Sequence, residues 1–118
     1  MTLQEYQERA MTTCLPHSKN ATYMLLNLAS EVGEIMGKVG KIIRKGEAHF
    51  TGYGQIGFNP TDTEIDHELQ KEAGDVLWQL AGLCTVMGWS LEDIARQNLD
   101  KLADRKQRGV IASSGDNR

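Results

Sequence analysis

The chain has 118 residues, of which 40% are apolar and 25% charged, a globular composition that excludes a disordered chain, a fibrous repeat and more than one domain. A net charge of −3 and a pI near 5.6 argue against a general nucleic-acid binder, which needs a basic face. No apolar run reaches the roughly 18 residues of a membrane span, and Met1-Thr2-Leu3-Gln4-Glu5 has neither the basic nor the apolar stretch of a secretory signal.

Cys14 and Cys84 form no CxxC pair, and the three histidines have no zinc spacing, so a reducing cytoplasmic setting is expected, with no membrane and no nucleic-acid polymer as partner.

From Thr2 to about Leu15, the residues Leu3, Tyr6, Ala10 and Cys14 recur every three or four positions, which predicts a short amphipathic helix ended by Pro16. A second, longer helix is expected from Asn20 to Arg44, with an apolar stripe running from Met24 and Leu25 through Val32 and Met36 to Ile43. Gly46 stops it. Residues 47–60 carry Gly52, Gly54 and Gly57 among Phe50, Tyr53 and Phe58, a composition for a small hairpin or an ordered loop rather than a helix. A third helix is predicted from Thr61–Thr63, which offer N-caps, to about Met87. Ser90, with Asp93 three residues on, caps a fourth that ends at Gly109. The fold class is all-α: a small bundle of two long and two shorter helices, with a Gly/aromatic loop between the long ones. Residues 1–118 form one domain, and 109–118 are a polar C-terminal tail.

Gly52-Tyr53-Gly54-Gln55-Ile56-Gly57 matches GxGxxG, but that fingerprint binds a dinucleotide only between a strand and a helix start. Here a lysine-rich helix precedes it and Asn59-Pro60 follow, so a loop is the better reading.

The informative features are Glu31-Val32-Gly33-Glu34 in the second helix and Glu72-Ala73-Gly74-Asp75 in the third. At about 100° per residue, each pair flanks the same edge of its helix's apolar arc. Helices packed through those arcs would bring four carboxylates to one groove. Such a cluster repels itself, and a hard cation relieves it; oxygen donors without histidine or thiolate suit Mg²⁺ or Mn²⁺. The competing reading is a solvated acidic face, which Glu64 and Glu68 would extend along the third helix. Gly33 and Gly74 weigh against it, because a mid-helix glycine costs about 1 kcal/mol and often marks close approach of a backbone or ligand.

Lys38, one turn beyond Glu34 with Lys41 beside it, and the stripe Asn98, Lys101, Arg105 and Arg108 in the fourth helix fit a phosphate ligand. Each taken singly is also ordinary surface charge.

The order ExxE…ExxD on consecutive long helices, followed by Asn98-Leu99-Asp100-Lys101-Leu102 and Arg105-Lys106-Gln107-Arg108-Gly109, resembles the MazG-like nucleoside triphosphate pyrophosphohydrolases from Asn20 onward. Gly115-Asp116-Asn117-Arg118 is similar to the ending of small phage and bacterial members. The resemblance implies Mg²⁺-dependent cleavage of a (deoxy)nucleoside triphosphate to the monophosphate and pyrophosphate. Glu31, Glu34, Glu72 and Asp75 would be the metal ligands by match of position, and Glu34 the carboxylate that activates water. Lys38, Asn98 and Lys101 would contact phosphates or sugar, Arg105 belongs to the same basic stripe, and Arg118 would reach the substrate if the tail folds over the site. A homodimer or homotetramer is implied, in keeping with apolar stripes longer than four helices need to cover. The long Gly/aromatic gap between the motifs departs from the family pattern. It suggests a lid over the nucleotide or an arm to a neighbouring subunit. Two alternatives stand beside this reading: phosphoribosyl-ATP pyrophosphohydrolase of the same superfamily, and a non-catalytic helical module whose acidic edges bind a basic partner.

Overall fold

The helices begin where polar side chains can satisfy their first backbone N–H groups. The computed structural model describes residues 1–50, 52–58 and 63–117, in which α1 spans Leu3–Met11, α2 Ala21–Arg44, α3 Thr63–Met87 and α4 Leu91–Gln107. Thr2 caps α1 in a reciprocal pair with Glu5, Asn20 caps α2 through the N–H of Tyr23, and Ser90 caps α4 through the N–H of Asp93. Thr61, offered as a cap for α3, lies outside the described residues.

The first helix is shorter than its periodicity suggests. It stops at Met11 because the hydroxyls of Thr12 and Thr13 each donate to a carbonyl three residues back, Arg9 and Ala10, at 2.7 Å. Leu15 is then extended ahead of Pro16, which opens a one-turn 3-10 helix, Pro16–Ser18. Two short strands, β1 (Ala48–Phe50) and β2 (Ile56–Phe58), pair antiparallel in the register Ala48↔Phe58, His49↔Gly57 and Phe50↔Ile56. At the end of α3, Gly88 takes φ +71°, and the N–H of Trp89 turns back to the carbonyl of Cys84 at 2.7 Å, so α4 departs at a sharp corner.

α2 and α3 pack along their length, and α1 lies across α3. The core sits where α1, the second half of α3 and the start of α4 meet: Ala81, Cys84 and Leu91 are buried, with Leu3, Tyr6, Met11, Leu80 and Ile94 against them. Gln7 locks this corner. It is buried, donates to the Thr85 hydroxyl and the Trp89 carbonyl at 3.0 and 2.9 Å, and accepts from the Leu91 N–H at 2.8 Å. Trp78 ties the end of α1 to α3 by donating to the Ala10 carbonyl and the Thr13 hydroxyl at 3.2 and 2.9 Å.

The close approach of α2 and α3 falls at Gly82. A Cβ there would press on Sδ of the fully buried Met24 and sit 2.7 Å from its Cε. Gly33 and Gly74 are not points of close approach between helices: apart from their own helix's adjoining backbone, no described atom lies within 4 Å of where their Cβ would be.

Much of the α2 stripe faces outward. Leu25, Val32, Met36 and Ile43 fall within about 40° of one another around the helix and are all exposed. The accessible surface of 8454 Å² exceeds the roughly 6,400 Å² of a compact monomer of 13.1 kDa, and the radius of gyration, 17.6 Å, exceeds the expected value of about 13.5 Å. None of the described helices is long and apolar enough to cross a membrane.

Candidate functional site

Helical spacing puts Glu31 and Glu34 on one edge of α2, and Glu72 and Asp75 on one edge of α3. The packing of α2 on α3 makes those edges meet: carboxylate oxygens of Glu31, Glu72 and Asp75 lie within 4.8 Å of one another. Glu72 is buried, Glu31 half-buried and Asp75 exposed. Glu34, exposed one turn along, belongs to the same electrostatic group. The negative charge of Glu31 holds its carboxyl above the ordinary value of 4.5, reinforced by Glu72 and opposed only partly by Lys38. Such mutual repulsion calls for a counter-cation.

Lys38 supplies one. Its Nζ bridges Glu72 and, at 3.1 Å, Glu68, while Lys71 holds the other oxygen of Glu68 at 2.7 Å. The hydrogen bonds from Lys71 and Lys38 pull the Glu68 carboxyl down to about 2. A cleft of 320 Å³ opens beside the cluster between the end of α2 and the start of α3, lined by Lys38, Lys41, Lys45, Glu64 and Glu68 together with Ile42, Ile65 and Leu69.

Two further residues hold the site and were absent from the motif reading. Asn27 donates from one Nδ2 to Glu31 at 2.9 Å and to Gln79 at 3.1 Å. Gln79, nearly inaccessible, donates in turn to the Met24 carbonyl and Sδ at 3.4 and 3.5 Å. Burial, with a smaller part from the negative charge of Asp75, pushes the Tyr6 phenol up. The signal was there in the spacing: Asn27 lies four residues before Glu31 and Gln79 four after Asp75, on the faces that bear the carboxylates.

The α4 residues lie elsewhere. Asn98 and Lys101 are exposed along a shallow groove with Ile94 and Gln97, and Lys101 and Arg105 pair with Asp116 of the tail. Among the described residues no hydrogen bond or ion pair joins Asn98, Lys101 or Arg105 to the α2–α3 carboxylates. Arg118 lies outside the described residues.

Two consequences are measurable. The acid Glu34 has a folded pKa above its unfolded one, so its ionisation weakens the metal-free fold as pH rises past 4.5 and through the folded value. Melts in EDTA should give Glu34→Gln and the parent the same Tm below pH 4, with the variant more stable at pH 7; a less stable variant at pH 7 would refute the crowding. Glu68 acts in the opposite sense, its ion pairs contributing above pH 4.5 and fading as pH falls toward 2. Asn27→Leu should weaken Mn²⁺ binding, followed calorimetrically, by about 10–100-fold, because it frees Glu31 to turn away from the cluster.

The chain matches the family model described as "MazG nucleotide pyrophosphohydrolase domain" over residues 19–110. It is 39% identical over 97 residues to the Gene 37 protein of Mycobacterium phage L5, a match covering 82% of this chain and 75% of that protein. No solved structure matches. The matched stretch contains both carboxylate pairs and the helices that bring them together, and the chain belongs to the MazG nucleotide pyrophosphohydrolase family.

Proposed function

We propose that this protein hydrolyses a nucleoside triphosphate, ribo- or deoxyribo-, at the bond between the α and β phosphates, releasing the monophosphate and pyrophosphate with the help of Mg²⁺. The observation that carries the reading is the convergence of Glu31, Glu72 and Asp75 within 4.8 Å, with Glu34 electrostatically coupled to two of them. This all-oxygen donor set fits a hard divalent cation, which Glu31, Glu72 and Asp75 would hold, with Glu34 as a fourth carboxylate. Bound there, the cation would polarise phosphate oxygens and offset their charge.

The chain's own groups do the rest. Glu34 stands outside the tight trio, so its oxygen is the one suited to take the proton of the water that attacks the α phosphorus. The electron pair of the α–β bridging bond leaves with pyrophosphate. Lys38 is positioned to turn from Glu72 and Glu68 toward a phosphate oxygen. The 320 Å³ cleft lies at the lower end of small-ligand pocket sizes, and its apolar residues Ile42, Ile65 and Leu69 beside polar and charged ones suit the nucleoside end.

A second copy of the chain would cover the outward apolar stripe of α2. The surface beyond that of a compact monomer, about 2,000 Å², is within the range that stable homodimers bury. In such an assembly Asn98, Lys101 and Arg105 would serve the carboxylates of a neighbouring copy.

The deciding experiment is pyrophosphate release from each common ribo- and deoxyribonucleoside triphosphate, and from phosphoribosyl-ATP, with and without Mg²⁺. Metal-dependent release from a triphosphate supports the proposal. Release from phosphoribosyl-ATP alone transfers the activity to that substrate, and no release from any of them refutes it.

A further inference from the structure

Lys38 has two acidic partners, and only one of them belongs to the carboxylate trio. Its Nζ bridges Glu72 and Glu68, which stand one turn apart on α3. The two carboxylates differ in kind. Glu72 has oxygens within 4.8 Å of those of Glu31 and Asp75, and its side chain is only 10% exposed. Glu68 stands outside that trio, is 43% exposed, and has its second oxygen held by Lys71 at 2.7 Å. In the metal-free protein the Lys38 ammonium supplies the positive charge that the Glu72 carboxylate needs, since an unpaired carboxylate at that depth is unfavourable. A divalent cation held by the trio would compete with Lys38 for Glu72.

We propose that Lys38 is an exchangeable counter-ion at Glu72 and that Glu68 is its holding residue: when Glu72 turns to a cation, the ammonium passes to Glu68 rather than to solvent. Glu68 is then a positioning residue of the site, a role that neither carboxylate motif assigns to it. This exchange rests on the metal part of the reading above and not on the identity of the substrate. The path is short, because Nζ already lies 3.1 Å from Oε2 of Glu68. Lys71 fixes the same carboxylate by Oε1 and leaves Oε2 to Lys38. Lys38 and Glu68 both line the 320 Å³ cleft, so an ammonium kept on Glu68 stays at the wall of the pocket beside the carboxylates. Glu68 is one of two partners before the exchange and the sole partner after it. Its loss is therefore felt more strongly in the cation-bound protein than in the metal-free one.

The test titrates Mn²⁺ calorimetrically into the full chain without nucleotide, for the parent, Lys38→Met, Glu68→Gln and the double variant. Lys38→Met removes the competitor and should tighten Mn²⁺ by about tenfold or more. Glu68→Gln should weaken Mn²⁺ by about fivefold when Lys38 is present and by less than about twofold when it is Met, because the effect passes through the ammonium. Equal weakening in both backgrounds would mean that Glu68 acts by its charge alone, and overturns the proposal. So does an unchanged Mn²⁺ affinity in Lys38→Met. A second measurement uses the parent only: the scalar couplings across the hydrogen bonds from Lys38 Nζ to the Cδ atoms of Glu72 and Glu68, followed by NMR as Mg²⁺ is added. At saturation the coupling to Glu72 should vanish and that to Glu68 persist; a coupling to Glu72 that survives saturation overturns the exchange. None of these readouts requires turnover. Mn²⁺ binding by neither the parent nor Lys38→Met would overturn the exchange together with the metal reading, whereas a parent that binds Mn²⁺ without the exchange leaves the hydrolysis reading standing.

Discussion

Glu72→Gln and Asp75→Asn should each lower kcat/KM for triphosphate hydrolysis by about a hundredfold or more, the equivalent of roughly 2.7 kcal/mol of transition-state stabilisation. The reason is geometric as well as electrostatic. Glu72 is the buried member of the trio and the partner of Lys38, so its amide would weaken the hold on a cation and leave Lys38 with Glu68 alone. Asp75 completes the three-oxygen face with Glu31 and Glu72. Neither change should unfold the chain, because each relieves repulsion; circular dichroism should show the helices intact. Mn²⁺ titration should show affinity falling in step with turnover. Full turnover in Asp75→Asn would remove Asp75 from the ligand set.

Gly82→Val should be among the most destabilising single substitutions in the chain. Its side chain would be driven into Met24, which is fully buried and whose Sδ accepts from Gln79. Overpacking of this kind costs about 2–3 kcal/mol, and a domain of this size loses about 5 °C in Tm for each kcal/mol. The damage should extend to the site, because Gln79 positions Asn27 and Asn27 holds Glu31; metal affinity should fall with stability. Met24→Ala in the same background should recover part of the loss by making room. Gly74→Ala provides the contrast. It faces open space within α3, so the added methyl should raise stability by about 0.5–1 kcal/mol through helix propensity alone. Thermal melts in EDTA check both signs.

The helices and their caps were legible in the chain because the signals are local: the apolar repeat of α2, Asn20 and Ser90 at N-caps, and Gly46, Gly88 and Gly109 at the ends all act within a few residues of themselves. The pairing of Glu31 with Glu34 and of Glu72 with Asp75 on single helix edges was legible for the same reason. The early stop of α1 at Met11 was not, since it turns on two threonine hydroxyls competing for carbonyls that a periodicity count does not see.

What only the tertiary structure decided is the register between helices. The spacing of Gly33 and Gly74 suggested close approach, but α2 and α3 meet closely at Gly82 and Met24 instead, because contact between helices depends on both partners. That register brings Glu31 to Glu72 and Asp75, recruits Asn27 and Gln79 behind them, and pairs Lys38 with Glu72 and Glu68. It also separates two groups of charge that sequence alone would merge. Lys38 stands at the carboxylates, whereas Lys101 and Arg105 sit on α4 with Asp116, since the corner at Gly88 sends α4 away from the α2–α3 groove. Residue types and spacing determined which groups could do the chemistry. Packing over distances of 30 residues and more along the chain determined which of them meet, because close-packed side chains at Gly82 and Met24 admit one alignment of α2 on α3.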